Sequence, residues 1–381
     1  MRQIFPHYVN EIYIMLTEFC PMRCEYCYIE DRNKHEVISE EAVDKVFELF
    51  KNKNPKIIFF GGEPLVEFDL MEKIYNKYKD KARFQVVTSA LVNFDKMVQF
   101  YEQNKDNFEL QVSWDGHVDT RKMKDGTCKE DIVYERIIAA AKNGNVFQIR
   151  SVVNDTNIDE LYNTYKVFEG LKKKYRITGD FTIAHQKEFM DSFHVKLEEQ
   201  LNLILKDIES QKKLYFPQFM MRYLSAVLAG TQKGSCDAGD YIVLRPNGDI
   251  YPCTILSQEK TEAFKMGSIF DEKNIDCNII EDIKARPEKC NTCDSNVICD
   301  GGCRYERVEV FNEKWNDNIC SHTCSINNVI VTLLKEWFGK LNTDKKQQIL
   351  DEIIEYRNWF SSHFAGDRRE NEFAKIWAKV E

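Results

Sequence analysis

The sequence predicts an α/β protein built on a parallel sheet, followed by a small cysteine-rich region and closing helices. Three observations lead there. Strand-like and helix-like runs alternate through the first half of the chain, which implies a parallel sheet under right-handed crossovers. Thirteen cysteines gather mainly in two groups, three near the start and a larger set beyond residue 235. Between and after these groups, apolar residues recur at three- and four-residue steps, the period of helices packed on one face.

The strand-like runs are IYIMLT (Ile12–Thr17), KIIFF (Lys56–Phe60), FQVVTS (Phe84–Ser89), LQVSW (Leu110–Trp114), FQIRSVV (Phe147–Val153) and DFTIAH (Asp180–His185). Helical stretches separate them. The first, SEEAVDKVFELF, opens at Ser39 as an N-cap with acids in its first turn. DLMEKIYNKYKD, FDKMVQFYEQ, IVYERIIAAAKNG and DELYNTYKVFEGLKKK follow. HVKLEEQLNLILKDIES and FPQFMMRYLSAVLAG, closing at Gly230, lead to the second cysteine group. NVIVTLLKEWFGKL and QQILDEIIEYRNWFSSHF come after it. In parallel barrels the carboxyl ends of the strands carry the site. The first cysteines and the run Gly61-Gly62-Glu63-Pro64 both fall there.

Composition bounds the function. At 381 residues the chain can bury one large core or two ordinary ones. No apolar run approaches bilayer length, so a soluble protein without a membrane partner is expected. A net charge of −9 without a basic stripe argues against nucleic acid. Many cysteines behind a mixed, polar start (MRQIFPHYVNEIY) point to a reducing cytoplasm and metal ligation.

Cys20, Cys24 and Cys27, in CPMRCEYC, put three thiols on one short loop. Three thiolates can grip three irons of a [4Fe–4S] cube and leave the fourth open to a substrate. An odd number of cysteines without an export signal speaks against a disulfide. Zinc wants a fourth ligand, and His35 is awkwardly spaced for it. The spacing, Tyr26 before the third cysteine and the later GGEP turn resemble the radical S-adenosylmethionine (radical SAM) enzymes.

That resemblance implies an open, partial (β/α)6 TIM-like barrel. It implies that the Gly61-Gly62-Glu63-Pro64 turn meets the amino group of S-adenosylmethionine (SAM), while the open iron takes its amine and carboxylate. Tyr26 then faces the adenine or only packs. Ser89, Ser113 and Asp115 match positions where the family holds substrate, methionine or ribose hydroxyls; ordinary turn chemistry is the plainer reading of each. Arg150 pairs with the methionine carboxylate or with another acid. Gly62→Val is expected to stop SAM cleavage and leave the iron content unchanged.

The second group runs Cys236, eleven residues, Gly248, four residues, Cys253, and then Cys290, Cys293, Cys299, Cys303 and Cys320. Taken alone, CNTC with CDGGC also suits a zinc ribbon. With the upstream motif, the layout closely resembles the SPASM extension of radical SAM enzymes, which holds two auxiliary [4Fe–4S] clusters. The resemblance assigns Cys290, Cys293, Cys299 and Cys320 to the outer cluster. It assigns Cys236, Cys253 and Cys303 to the inner one. The fourth inner ligand, often a cysteine shortly after the first, has no match in DAGDYIVLRP, which leaves Cys277, Cys324 or an open iron. The expected division is 1–230 for the barrel with its helical bridge, 231–330 for the SPASM region and 331–381 for the closing helices.

The function implied is that of a radical SAM oxidoreductase carrying three [4Fe–4S] clusters and SAM, working anaerobically in the cytoplasm. Reductive cleavage of SAM gives a 5′-deoxyadenosyl radical that oxidatively modifies a peptide or protein side chain, by a thioether or another crosslink. A flavodoxin or ferredoxin is the implied electron donor. The chain has little room for a leader-peptide module before Ile12, so a separate leader-binding protein is an expected partner. An anaerobic sulfatase-maturating enzyme is the alternative, against which stands Thr254 where that group places an Asp. A plain iron–sulfur electron-transfer protein would need neither the GGEP turn nor the open iron.

Overall fold

The structure is a computed structural model that describes residues 4–6, 8–50, 54–185, 189–229, 236–299, 301–307 and 322–363. Strands β1 (Glu11–Met15), β2 (Lys56–Phe60), β3 (Arg83–Thr88), β4 (Phe108–Ser113) and β5 (Gln148–Val153) pair in parallel in that order. The register is tight: Ile12 faces Ile57, Ile57 faces Phe84, and Phe84 faces Phe108. Helices α1 (Glu40–Leu49), α2 (Phe68–Tyr78), α3 (Phe94–Asn104) and α4 (Glu130–Lys142) form the crossovers, and α5 (Leu161–Tyr175) precedes β6 (Thr178–Ile183).

Local chemistry explains these elements. Ser39, in extended conformation, caps α1 by accepting the Ala42 N–H at 3.1 Å, with Glu40 and Glu41 in the first turn. Such a cap contributes about 1 kcal/mol, and the acids complement the helix dipole. Every residue of β2 is buried, as expected of a parallel strand covered on both faces. Phe59, Phe84 and Phe108 form a ladder of stacked rings across β2 to β4, with centroids 5.7 and 6.4 Å apart. Tyr75 of α2 and Phe100 of α3 close on that ladder edge-on.

The sheet continues past β1 into elements the periodicity did not mark. Strand β7 (Tyr241–Leu244) pairs in parallel with β1, and β8 (Asp249–Tyr251) and β9 (Gly267–Ser268) follow in antiparallel pairing. The full order is β6-β5-β4-β3-β2-β1-β7-β8-β9. Because β1 is bonded to β2 on one side and β7 on the other, it has no edge left for β6. The barrel is open.

The chain divides into two compact units. The first comprises Met1–Ser151, Leu171–Thr178 and Asp237–Lys284; the second comprises Val152–Gly170, Gly179–Cys236 and Ala285–Glu381. Within the first, the stretch after Cys236 supplies β7, β8, β9 and the short α8 (Asn278–Lys284). Within the second, α9 (His322–Lys340) packs on α6 (Phe193–Ser210) and α7 (Gln218–Ala229), while α10 (Thr343–His363) rests on α7. Helix α9 starts earlier than its apolar pattern suggests, so Cys324 lies in its first turn. Gly230 lies outside the described residues. Among those residues no helix is long and apolar enough to cross a membrane.

Phe84 is fully buried at the centre of the aromatic ladder. Phe84→Ala is expected to cost about 3–5 kcal/mol, seen as a lower urea midpoint with an unchanged slope.

Candidate cluster and cofactor site

The first three cysteines follow β1 on a loop held from several directions. The Cys20 N–H donates to the Arg32 carbonyl at 3.0 Å, and the Cys27 N–H to the Cys24 carbonyl at 3.3 Å. The segment after β4 braces the loop: the Arg23 N–H donates to Lys122 O at 2.6 Å and the Glu25 N–H to Thr120 O at 3.2 Å. Cys20 is buried, Cys24 and Cys27 are half-buried, and none of the described cysteines forms a disulfide. Burial pushes the Cys20 and Cys24 thiols up to about 12, with the charge of neighbouring cysteines adding to the rise. Three thiols on one short loop have the soft donor chemistry that an iron–sulfur cluster takes. His35 stacks on Phe19 at 3.9 Å.

The glycine turn after β2 lies directly against this loop. The Gly62 N–H donates to Thr17 O at 2.8 Å and the Glu63 N–H to Phe19 O at 2.9 Å. Gly61 has φ +142°, and a Cβ there would lie 2.3 Å from Thr17 O. At Gly62 a Cβ would lie 2.2 Å from Phe19 O and 2.4 Å from Glu18 O. Pro64 starts a short 3-10 turn. Glu63 is turned inward and buried, accepting from the Leu65 N–H at 3.2 Å, Thr88 Oγ1 at 2.7 Å and the Ser89 N–H at 2.8 Å. The Ser89 hydroxyl also donates to Glu63. Glu63 and Ser89 thus bind each other and tie the exit of β2 to that of β3.

A similar tie joins Tyr26 and Asp115. The Tyr26 hydroxyl donates to Asp115 Oδ2 at 2.6 Å, and Thr120 Oγ1 donates to the same oxygen at 2.9 Å. The side chain of Tyr26 therefore orients Asp115, a role that sequence reasoning did not assign. Behind them lies a buried pair it also missed, Arg121 and Glu130, at 3.1 Å and 2% exposed on each side. Their setting in RKMKDGTCKED reads as solvated surface, and only the fold turns them inward. Glu130 also receives the Trp114 indole N–H on its carbonyl at 3.1 Å. Ser113 and Arg150 are half-buried register partners on β4 and β5.

Within the first unit, Cys253 follows β8. The Tyr241 hydroxyl reaches its sulfur at 3.7 Å and accepts the Thr254 N–H at 3.3 Å. Burial, then the charges of Cys27 and Cys253, push Tyr28 above the usual tyrosine range. Cys277 donates to Ile4 O at 3.3 Å.

Within the second unit, Cys290 and Cys299 are buried, Cys293 is exposed and Cys236 is half-buried. The Cys293 N–H donates to Cys290 O at 3.3 Å, and Cys299 lies 3.6 Å from Cys324, sulfur to sulfur. Cys324 thus sits beside a cysteine that the resemblance assigns to an outer cluster. Cys303 is buried, and Gly301 and Gly302 just before it both take φ +84°, the tight left-handed turn that DGGC suggests. Cys320 lies outside the described residues.

Two outcomes follow from this geometry. With Cys20 and Cys24 at about 12, the metal-free chain keeps both as thiols at pH 7. Iodoacetamide should label them about tenfold or more slowly than the exposed Cys293, read by peptide mass; equal rates would show ionised thiols. The second outcome corrects an expectation. A side chain at Gly62 meets the backbone of the cysteine loop itself, so Gly62→Val should displace the loop and lower bound iron by about one cluster's share as well as stopping SAM cleavage. Unchanged iron in an iron assay would show that the turn acts on SAM alone.

Residues 14–168 match the Radical SAM superfamily. A cysteine-type anaerobic sulfatase-maturating enzyme of Clostridium novyi (strain NT) is 25% identical over 346 residues, covering 79% of this chain and 89% of the relative. Among solved structures, native anSMEcpe with bound AdoMet and the Kp18Cys peptide superposes with a TM-score of 0.68 at 18% identity, over 91% of this chain and 99% of that one. Streptococcus suis SuiB bound to its precursor peptide SuiA gives 0.55 at 17% identity, over 83% and 76%. The partial-barrel fold is shared with both. With a superfamily match that spans the thiol loop, the glycine turn and strands β2 to β5, the chain carries a radical SAM domain, the domain of enzymes that use a [4Fe–4S] cluster and SAM.

Proposed function

We propose that the chain is a SPASM-type maturase that oxidatively modifies a side chain of a peptide or protein. One observation carries this reading. A thiol loop abutting the Gly61–Pro64 turn at the carboxyl ends of the strands stands in one chain with a second set of cysteines whose described members form no disulfide. The fold is also that of enzymes solved with peptides, anSMEcpe and SuiB. In this reading 1–230 is the barrel with its bridge, 231–330 the SPASM region and 331–381 the closing helices.

Cys20, Cys24 and Cys27 would hold the primary cluster, Cys290, Cys293, Cys299 and Cys320 the outer auxiliary one, and Cys236, Cys253 and Cys303 the inner one. The place of Cys253 among these rests on the sequence resemblance. Loaded with cluster and SAM, the site supplies a carbon radical that abstracts hydrogen from an unactivated C–H bond. The protein's own groups bind and orient. The Gly61–Pro64 turn offers backbone where no Cβ intrudes, and Glu63 holds the β3 exit at Ser89. Asp115, fixed by Tyr26 and Thr120, keeps the β4 exit in place. Ser113 and Arg150, side by side on the sheet, would meet SAM or substrate. A reducing cytoplasm and a flavodoxin or ferredoxin donor complete the proposal, with a separate leader-binding protein as partner.

Formylglycine formation on a sulfatase is the second reading, favoured by the likeness to the Clostridium novyi enzyme along most of both chains. Against it, Thr254 follows Cys253 and lies 3.5 Å from the Tyr241 hydroxyl, and neither group is a carboxylate base. Anaerobically reconstituted protein should bind about twelve iron atoms, four per cube, and release 5′-deoxyadenosine with dithionite. With a cysteine-bearing peptide encoded beside the gene, the product should be two hydrogens lighter. Alkylating the peptide's cysteines should prevent this if sulfur is a reacting atom. Formylglycine on a sulfatase-type cysteine peptide, with no reaction on the neighbouring one, would reverse the order of the two readings.

A further inference from the structure

We infer that His185 supplies the fourth ligand of the inner auxiliary cluster, completing the position for which the sequence has no cysteine. The inference rests on the auxiliary-cluster reading above and adds a residue to it. His185 follows β6, where the Ala184 N–H donates to Val153 O at 2.8 Å and anchors the strand exit. A ring nitrogen of His185, the Cys303 sulfur and a Glu306 oxygen all lie within 4.8 Å of one another, in the second unit. Imidazole and thiolate converging in this way are two iron ligands of ordinary type.

The third group explains the arrangement. Glu306 is 1% exposed, and its Oε1 lies 3.4 Å from His185 Nδ1. Thr323 fixes that carboxylate twice, through its N–H at 2.9 Å and its hydroxyl at 2.7 Å. A carboxylate so committed is an orienter. It sets the ring angle and the tautomer, and leaves the other imidazole nitrogen as donor, the arrangement common behind metal-bound histidines. A bare His–Glu ion pair would account for the carboxylate but not for the buried thiol beside it. The other candidates point elsewhere: Cys324 toward Cys299, and Cys277 toward Ile4 O.

Imidazole in place of thiolate raises a cluster's reduction potential, which suits an electron acceptor. It also fills the iron position that a substrate thiolate would otherwise take.

The test uses the full chain with Cys20, Cys24 and Cys27 replaced by Ala and with SAM omitted, so that only auxiliary clusters contribute. After reduction, pulsed electron paramagnetic resonance should show a 14N coupling on one cluster, converted to a 15N pattern by 15N-histidine labelling. His185→Ala should remove the coupling while about eight irons per chain remain. His185→Cys should also remove it, keep the iron and lower the potential, which guards against a folding defect in the first variant. About eight irons without a histidine coupling, or a coupling that survives His185→Ala, overturns the inference and leaves the auxiliary clusters standing. No iron, or stoichiometric zinc instead, overturns both.

Discussion

The constraint on which the site depends is the passage of β2's exit across β1's exit. At Gly62 the two backbones are too near for a single added carbon, which would lie 2.2 Å from Phe19 O. Two amide-to-carbonyl bonds, from Gly62 to Thr17 and from Glu63 to Phe19, hold them there. Cys20 is the next residue along. The position of the thiol loop is therefore set by main chain, which has no rotamers to lose, and the surrounding side chains serve to keep that crossing in register.

Around the crossing, polar groups are arranged in successive layers. Glu63 satisfies its oxygens with Leu65, Thr88 and Ser89, so the exits of β2 and β3 move together. Asp115 does the same for Tyr26 and Thr120, joining the thiol loop to the exit of β4. Glu18 and Arg245 form a buried ion pair that joins the loop to the segment after β7. Buried polar networks that are fully paired rigidify their surroundings, and partly paired ones are costly. Chemistry with a free radical needs this rigidity, because a small displacement of the reacting groups forfeits the advantage of proximity.

Much of this was legible in the residues. Six alternating units, the Ser39 cap and the placement of CPMRCEYC and GGEP at strand ends all emerge from period and spacing, because each depends on neighbours in sequence. What escaped depends on contacts distant in sequence. Tyr241–Leu244 is short and apolar, and only pairing with β1 makes it a strand, although Asn247-Gly248 between it and β8 is a hairpin signal that could have marked the pair. Arg121 and Glu130 look like surface charges until the loop after β4 folds inward. Ser89 and Asp115 were placed at the site by resemblance, and the structure shows their side chains bonded to Glu63, Tyr26 and Thr120. His185 carries no local motif at all; its neighbours Cys303 and Glu306 come from the far end of the chain.

The double pairing of β1 also bears on how the protein is made. Its second partner, β7, begins at Tyr241, while β1 itself begins at Glu11. Contacts so remote in sequence form late and slow the folding of the element that waits for them. On a ribosome that adds residues from the amino end, β1 and the thiols beyond it stay half-assembled until most of the polypeptide has emerged. If Cys20, Cys24 and Cys27 hold the cluster as proposed, delivery of iron and sulfide to them would follow that event, and one strand pairing would couple the order of synthesis to the order of cofactor insertion.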